Sequence, residues 1–368
     1  MQIKMIDSCV HIHNIAPTYV FRGINAWEKS FNAIAKLGNK PLILGRGKET
    51  IGLREQLSRN LQEKGLQTYL VTLHFDCCEE DLQPIANSFL ENGWNSVIAI
   101  GGGKVLDAGK LLAHRLRLPC VMIPSSAATC AGWTALSNLY SPSGAFKRDI
   151  VLDNCPDLLI FDYRFIIEAP SQTLSSGIAD AMAKWYEASV SAGDSRDALI
   201  QQAVLQAKSL RDQLFLEGIE AINRPGSAAW IRVVESCGLV AGLIGGLGGA
   251  RCRTVAAHAI HNGLTQLEVT RNTLHGEKVA FGILAQLWLE EKIGLNPLAG
   301  NARRDLISFF HHLKIPVNLD ELGLGKVTIT ELRQVCCFAI QPNSDLHYLP
   351  FTVTEDDLLM SLTSTDYC

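Results

Sequence analysis

"IAIGGGKVLDAGK", Ile98 to Lys110, carries an unbroken apolar run straight into three glycines and then into a helix-forming segment. A strand that meets a helix through glycines has the geometry of an anion site. The glycines let backbone N–H groups close on a phosphate, and the helix N-terminus adds partial positive charge. Lys110, seven residues beyond Gly103, is within reach of the same site. The stretch is neither a G-x-x-x-x-G-K-[ST] loop nor a G-x-G-x-x-G fingerprint, and a plain strand-to-helix turn accounts for a glycine triplet about as well.

Further β-like runs lie on either side of this one. "KPLILG" ends at Gly45, "LQTYLVTL" at Leu73, "SVIAIGGG" at Gly103, "PCVMIP" at Pro124 and "DLLIFD" at Asp162. Amphipathic stretches separate them, such as Glu49 to Gly65 and "VLDAGKLLAHRL" from Val105. Apolar strands alternating with helices describe a parallel sheet covered on both faces. After "EAPSQTLSSG", Glu168 to Gly177, the strand signals stop and long helical patterns follow, from "IADAMAKWYEASVSA" to "NARRDLISFFHHL". The expected fold is therefore an α/β half over residues 1–165 and an all-α half over 166–368, divided near Tyr163 to Pro170. No internal repeat or low-complexity tract interrupts it.

Bulk properties narrow the function class. A chain of 368 residues suggests two domains, and 47% apolar with 19% charged residues is a globular composition. The net charge of −4 makes no electrostatic case for nucleic acid or an anionic membrane. Eleven cysteines without a C-x-x-C pair argue against both a disulfide framework and a cysteine-ligated zinc ribbon. The opening "MQIKMIDSCVHIHN" lacks the apolar core of a signal peptide. The longest apolar run, "CGLVAGLIGGLGGA" from Cys237 to Ala250, reads as too short to span a bilayer. A reduced cytoplasmic location follows as the expectation.

Histidines mark a second chemical site. Of ten in the chain, His258, His261 and His275 fall within eighteen residues, the first two in the alanine-rich run "TVAAHAIHNG". A buried imidazole requires a hydrogen-bond partner or a metal, because an unsatisfied polar group in a dry site costs a few kcal/mol. Core histidines and metal ligands are equally supported at this point. Asp180, in "SSGIADAMAKWYEA", is the carboxylate best placed to complete a divalent-metal set, with a charge complementing a helix start as the competing reading.

Taken together, "GGGKVLDAGK", "GIADAMAKWYEA", "AAHAIHNGLT" and "HGEKVAFG" resemble, in order and spacing, the glycerol dehydrogenase branch of the iron-containing alcohol dehydrogenase superfamily. The likeness extends to the opening "APTYVFRG" and "LGNKPLILG", and "ATCAGWTALS" with the late "LHYLPFTVT" draws it toward the hydroxycarboxylate dehydrogenase A type. It implies a dehydroquinate synthase-like, glycerol dehydrogenase-like fold: an N-terminal nucleotide-binding α/β domain and a C-terminal helical domain with the active site between. It also implies Asp180, His258 and His275 as metal ligands, with His261 beside the metal rather than on it. Members with four ligands carry a histidine where this chain has Lys184, which leaves three protein ligands and favours zinc over iron.

The resemblance assigns a cofactor site as well. Gly101, Gly102, Gly103, Lys104 and Val105 match the pyrophosphate loop, with Asp107 and Lys110 following on its helix. Ser125, Ser126, Ala127, Ala128, Thr134, Leu136 and Tyr140 match positions that contact the nicotinamide half. In "LGRGK", Arg46 stands where NAD-using relatives have an aspartate, with Lys48 nearby. An arginine there attracts a 2′-phosphate, so NADP is expected, with NAD as the alternative and solvated turn residues as the plain reading.

Two departures concern the substrate. Cys130 replaces the aspartate with which glycerol enzymes approach a polyol, and Arg251 and Arg253 precede His258 where those enzymes have small residues. Loss of a carboxylate and gain of an arginine both favour an acidic substrate, through Arg253 rather than Arg251. Cys130 reads as a small pocket-lining residue rather than a nucleophile. The expected activity is a metal-dependent NAD(P)H oxidoreductase that interconverts short 2-oxo and 2-hydroxy acids, with His261 or the ribose hydroxyl relaying a proton. The alternatives are a glycerol or polyol dehydrogenase and, from another class, a lyase or cyclase resembling dehydroquinate synthase. A homo-oligomer of two or more subunits is expected.

Overall fold

A strand that is apolar on both faces is stable only where helices cover both sides of its sheet. The computed structural model describes residues 12–364. Residues 1–11, most of the opening stretch read for a leader, lie outside it. Six parallel strands form one sheet: β1 (Tyr19–Gly23), β2 (Pro41–Arg46), β3 (Tyr69–Leu73), β4 (Ser96–Gly101), β5 (Cys120–Pro124) and β8 (Leu158–Asp162), in the order β1-β8-β5-β4-β2-β3. An antiparallel hairpin, β6 (Leu136–Tyr140) with β7 (Phe146–Val151), stands apart from it.

Alternation along the strands divides their side chains between two cores. Leu42, Leu44, Val97, Ala99, Met122 and Phe161 face one. Ile43, Ile98, Ile100, Val121, Ile123 and Ile160 face the other. The first core continues into the helical half through Ile178, Val233 and Phe310. β2 lies between β3 and β4, so the strand order reverses beside it. Ligands of open α/β sheets bind at the carboxyl ends of strands at such a reversal, and here those ends are Arg46 and Gly101.

The α/β half and helical half agree with the sequence analysis, which nevertheless missed β1 and the hairpin. β1 is a sheet edge with a half-exposed, partly polar pattern, and the hairpin carries "FKRD", so neither offers an unbroken apolar run. Beyond Asp162 the helices include Ser171–Ala192, Ala198–Asn223, Ala256–Leu264, His275–Lys292, Pro297–His312 and Ile329–Ala339. The apolar run from Cys237 belongs to a longer helical stretch, Ala228–Gly248, of 21 residues and mean hydropathy 1.5. Its length and composition would suit a membrane span, which corrects the shorter estimate. Its Trp230, Val233, Val234 and Ile244 are buried inside the helical half.

One buried carboxyl in this half has a consequence for pH. Glu290 accepts from Gln286 Nε2 at 2.9 Å, while the same amide donates to the Tyr186 carbonyl at 2.9 Å. Burial pushes the Glu290 carboxyl up to about 7. A carboxyl raised on folding favours the protonated folded state, so its contribution is full at low pH and is lost as pH climbs from the ordinary carboxylate range through about 7. Glu290→Gln should match the wild type near pH 4.5 and exceed it by about 2 kcal/mol at pH 8. Thermal melts at the two pH values check this, and an offset that is the same at both would refute it.

Candidate active site

Three helices bring the histidines and the carboxylate together. Asp180 projects from the middle of Ser171–Ala192, His258 from the first turn of Ala256–Leu264, and His275 opens His275–Lys292. Each offers one ligand atom, and the three atoms lie within 4.8 Å of one another. His258 Nε2 is 3.3 Å and His275 Nε2 3.4 Å from Asp180 Oδ1. The approach depends on small residues. A Cβ at Gly276 would overlap the Ser176 carbonyl, and one at Gly177 the Ala127 carbonyl, so glycine lets the helices and the Ser125–Ala128 loop meet backbone to backbone.

Behind the trio stands Glu187, fully buried. Its Oε2 lies 2.6 Å from His258 Nδ1, and its Oε1 accepts the backbone N–H of Val255 at 2.6 Å and of His258 at 3.0 Å. One carboxylate thereby caps the helix and directs the other ring nitrogen of His258 at Asp180. Carboxylate–histidine pairs of this kind orient metal ligands. Burial pushes Asp180 up, but Lys184 and hydrogen bonds from His258 and His275 outweigh it and hold the carboxyl well below the usual range. Burial lowers His258, yet Glu187 above all raises it overall; burial keeps His275 lowered. Two imidazole nitrogens and an ionised oxygen suit a divalent ion.

The trio lies in a cavity of about 1040 Å³ that runs between the two halves to the glycine loop. Gly102, Gly103, Lys104, Val105 and Asp107 line it, together with Ser126, Ala128, Thr134, Leu136 and Tyr140. A Cβ at Gly102 would meet nothing within 4 Å, so the helix N-terminus opens onto free space where a phosphate fits. At the far end Arg46 also lines the wall. Its guanidinium is paired with Asp76, whose other oxygen accepts from Lys104 Nζ at 2.6 Å.

Residues 17–163 match the family described as iron-containing alcohol dehydrogenase. An uncharacterized oxidoreductase of Synechocystis is 50% identical over 352 residues, 95% of this chain and 91% of that one. Hydroxycarboxylate dehydrogenase A of Escherichia coli is 37% identical over 291 residues, 77% of each chain. The crystal structure of glycerol dehydrogenase from Schizosaccharomyces pombe superposes with a TM-score of 0.85 at 26% identity, covering 98% of this chain and 91% of that one. The chain belongs to the iron-containing alcohol dehydrogenase superfamily. It sits in the glycerol dehydrogenase branch and is an oxidoreductase of the alcohol dehydrogenase type.

Not every residue singled out in the sequence lines the cavity of this dehydrogenase. Gly101, Lys48, Ser125 and Ala127 are not in its wall. Lys110 is not in the wall either: its ammonium is 3.1 Å from Asp107, donates to the Thr134 carbonyl at 3.2 Å and also bonds the Leu136 carbonyl, so it clamps the start of β6 from behind wall residues. His261 packs its ring 4.2 Å from that of His275 and pairs with Asn262, leaving Asn262 rather than His261 on the wall. Arg251 lies outside the cavity, its guanidinium 6.0 Å above the Tyr348 ring.

Arg253 and Cys130 do line the cavity. One guanidinium nitrogen of Arg253 is 3.5 Å from Asp149 on β7, while its Nε is buried without a hydrogen-bond partner. Burial pushes the Cys130 thiol up, which keeps it protonated and poorly nucleophilic. Sequence reasoning missed Glu187 and Asp76. Glu187 follows Asp180 by seven residues, two helical turns along one face, a signal that was open to reading. Asp76 lies in the loop after β3, where no pattern marks it.

Proposed function

We propose that this dehydrogenase interconverts short 2-oxo acids and 2-hydroxy acids, with NADP and a zinc ion as its resident partners. The observation that carries the reading is Arg253, whose side chain lines the same cavity wall as the uncharged Cys130. A substrate carboxylate would meet that guanidinium, whereas a polyol would find a thiol at Cys130 where a carboxylate would accept its hydroxyls. When bound, a zinc ion would polarise the carbonyl and the nicotinamide would carry the hydride.

The chain's own part is to hold and enclose. Asp180, His258 and His275 would hold the ion, and the Gly102–Gly103 helix start would hold the pyrophosphate. Thr254 Oγ1 donates to Asp345 at 2.6 Å, and Phe146 on β7 is tied by its N–H to Thr265 at 2.9 Å and by its carbonyl to Gln266 at 3.0 Å. The two Phe146 bonds tie the halves together beside the cavity, and the Thr254 bond ties two segments of the helical half on its wall. His261 supports the His275 ring, and a proton relay through it would be indirect.

The preference for NADP rests on charge. Asp76 is shared by Arg46 and Lys104, which leaves one positive charge to meet a 2′-phosphate. Glu49 on the same wall is exposed and screened. Burial, with Arg46 and Arg271 adding, pushes the Lys104 ammonium down to about 8. The charged form therefore dominates below that pH and is lost above it. NADPH binding followed by fluorescence should weaken about 10-fold between pH 7 and pH 9.5. Lys104→Met should flatten the profile, and a wild-type profile that is already flat would refute the role. Nine unpaired cysteines among the described residues and the exposed side chains of Leu216, Leu295 and Leu298 support a cytoplasmic enzyme of two or more subunits.

The test is NADPH oxidation by the zinc-loaded protein against short 2-oxo acids, with dihydroxyacetone alongside. Arg253→Ala should lower kcat/KM on the acids by about 30-fold. Turnover of dihydroxyacetone alone would make the protein a polyol dehydrogenase and overturn the reading.

A further inference from the structure

Lys184 occupies the next turn of the helix that carries Asp180, on the same face. Its side chain is 3% exposed and lines the cavity. Its ammonium donates to the Arg253 carbonyl at 3.2 Å and stands 3.9 Å from Asp180 Oδ1. An ammonium has three donors, and a buried one is stable only when they are met. Here one is met by a neutral carbonyl and the nearest carboxylate is beyond hydrogen-bond reach. The uncharged thiol of Cys130 also feels its charge from the cavity side.

The local charge is therefore incomplete once a divalent ion takes Asp180 as its ligand. The ion's two positive charges and that of Lys184 face two buried carboxylates, Asp180 and Glu187, so one positive charge is left in a dry site. An anion is what such a site accepts. Reach selects the residue. The carboxylate carbon of a 2-oxo acid is bonded directly to the carbonyl carbon, so its cation must stand within a few ångströms of the metal ligands. Lys184 does, whereas the Arg253 guanidinium is drawn toward Asp149, whose side chain is 48% exposed at the rim.

We propose that Lys184 seats the carboxylate of the substrate, while Arg253 closes over its outer oxygen and holds Lys184 in place through its backbone carbonyl. The proposal rests on the 2-oxo acid reading above and names the residue that makes an α-carboxylate a requirement. Neutral ketones are then poor ligands, because they leave the ammonium unpaired.

The experiment is calorimetric titration of oxamate, an unreactive isostere of a 2-oxo acid, into zinc- and NADPH-loaded protein, with zinc affinity measured separately by chelator competition. Lys184→Met should weaken oxamate at least about 100-fold, the usual effect of removing one partner of a buried charge pair. Zinc should bind as tightly as before or more so, since a cation beside Asp180 is gone. If the methionine variant does not fold, Lys184→Gln keeps a donor for the Arg253 carbonyl without the charge and should show the same split. Oxamate affinity within 3-fold of wild type would overturn the role of Lys184 and leave the 2-oxo acid reading standing. Loss of zinc in either variant would place Lys184 in the metal set and also overturn it. If the wild type ignores oxamate and reduces dihydroxyacetone, both readings fall together.

Discussion

Replacing His275 by alanine will empty the metal site and lower turnover at least about 1000-fold, from the several kcal/mol that a Lewis-acid centre contributes at 1.36 kcal/mol per factor of ten. Two ligands remain, Asp180 and His258, too few to hold a divalent ion firmly. His275 is the informative ligand to remove because its loss disturbs little else. Its side chain is 22% exposed, and its polar contact is the one to Asp180. Removing Asp180 would instead leave Lys184 buried without a counter-charge, and removing His258 would strand Glu187, so those variants mix loss of metal with loss of stability. Zinc content and melting temperature, measured on the same sample, separate the two effects. A variant that keeps one zinc per chain would show that His275 is not a ligand.

Gly276→Ala should destabilise the fold by about 3 kcal/mol, the upper part of the range for forcing an extra methyl into a packed core. Two effects oppose each other at this position. Alanine favours a helix over glycine by up to about 1 kcal/mol, less in a first turn. Against that, the new Cβ would overlap the backbone carbonyl of Ser176, which cannot rotate away as a side-chain end could. The overlap wins. Helix His275–Lys292 must then shift from Ser171–Ala192, and the shift moves His275 away from Asp180. A drop in melting temperature of about 6 °C together with weaker zinc binding is expected. A wild-type melt with unchanged zinc affinity would show that the helices can accommodate the methyl group.

Much of the molecule was legible in the chain itself. Parallel strands announce themselves as apolar runs, so β2, β3, β4, β5 and β8 were found with their ends close to correct. The edge strand β1 carries Arg22 and the hairpin carries "FKRD", so β1, β6 and β7 left no such trace, whereas the other edge strand, β3, is apolar enough to show. The apolar reach of Ala228–Gly248 was underestimated because Arg232 and Glu235, each ion-paired off the buried face, break the linear run. At the site, Asp180 and the two histidines lie on three separate helices; the clustered histidines suggested a metal and Asp180 its carboxylate, but only the family resemblance assigned these three as the ligands. Lys110 was misplaced because reach was judged along the chain, while direction is set by the helix face. Arg46 was legible as a cation, but its partner Asp76 comes from another loop and depends on the fold.

Glu187 gives this centre a property that the ligand set alone would not. The orientation of the His258 ring is imposed by the protein's own hydrogen bonds, through the same carboxylate that starts its helix. Ligand geometry is thus encoded in the polypeptide and need not be taught by the ion. Different divalent ions will therefore exchange through one folded state, and occupancy in a cell will follow the relative supply of each ion weighted by its intrinsic affinity for nitrogen and oxygen donors. A carboxylate one layer behind the chemistry turns the choice of ion into a matter of the cell's inventory.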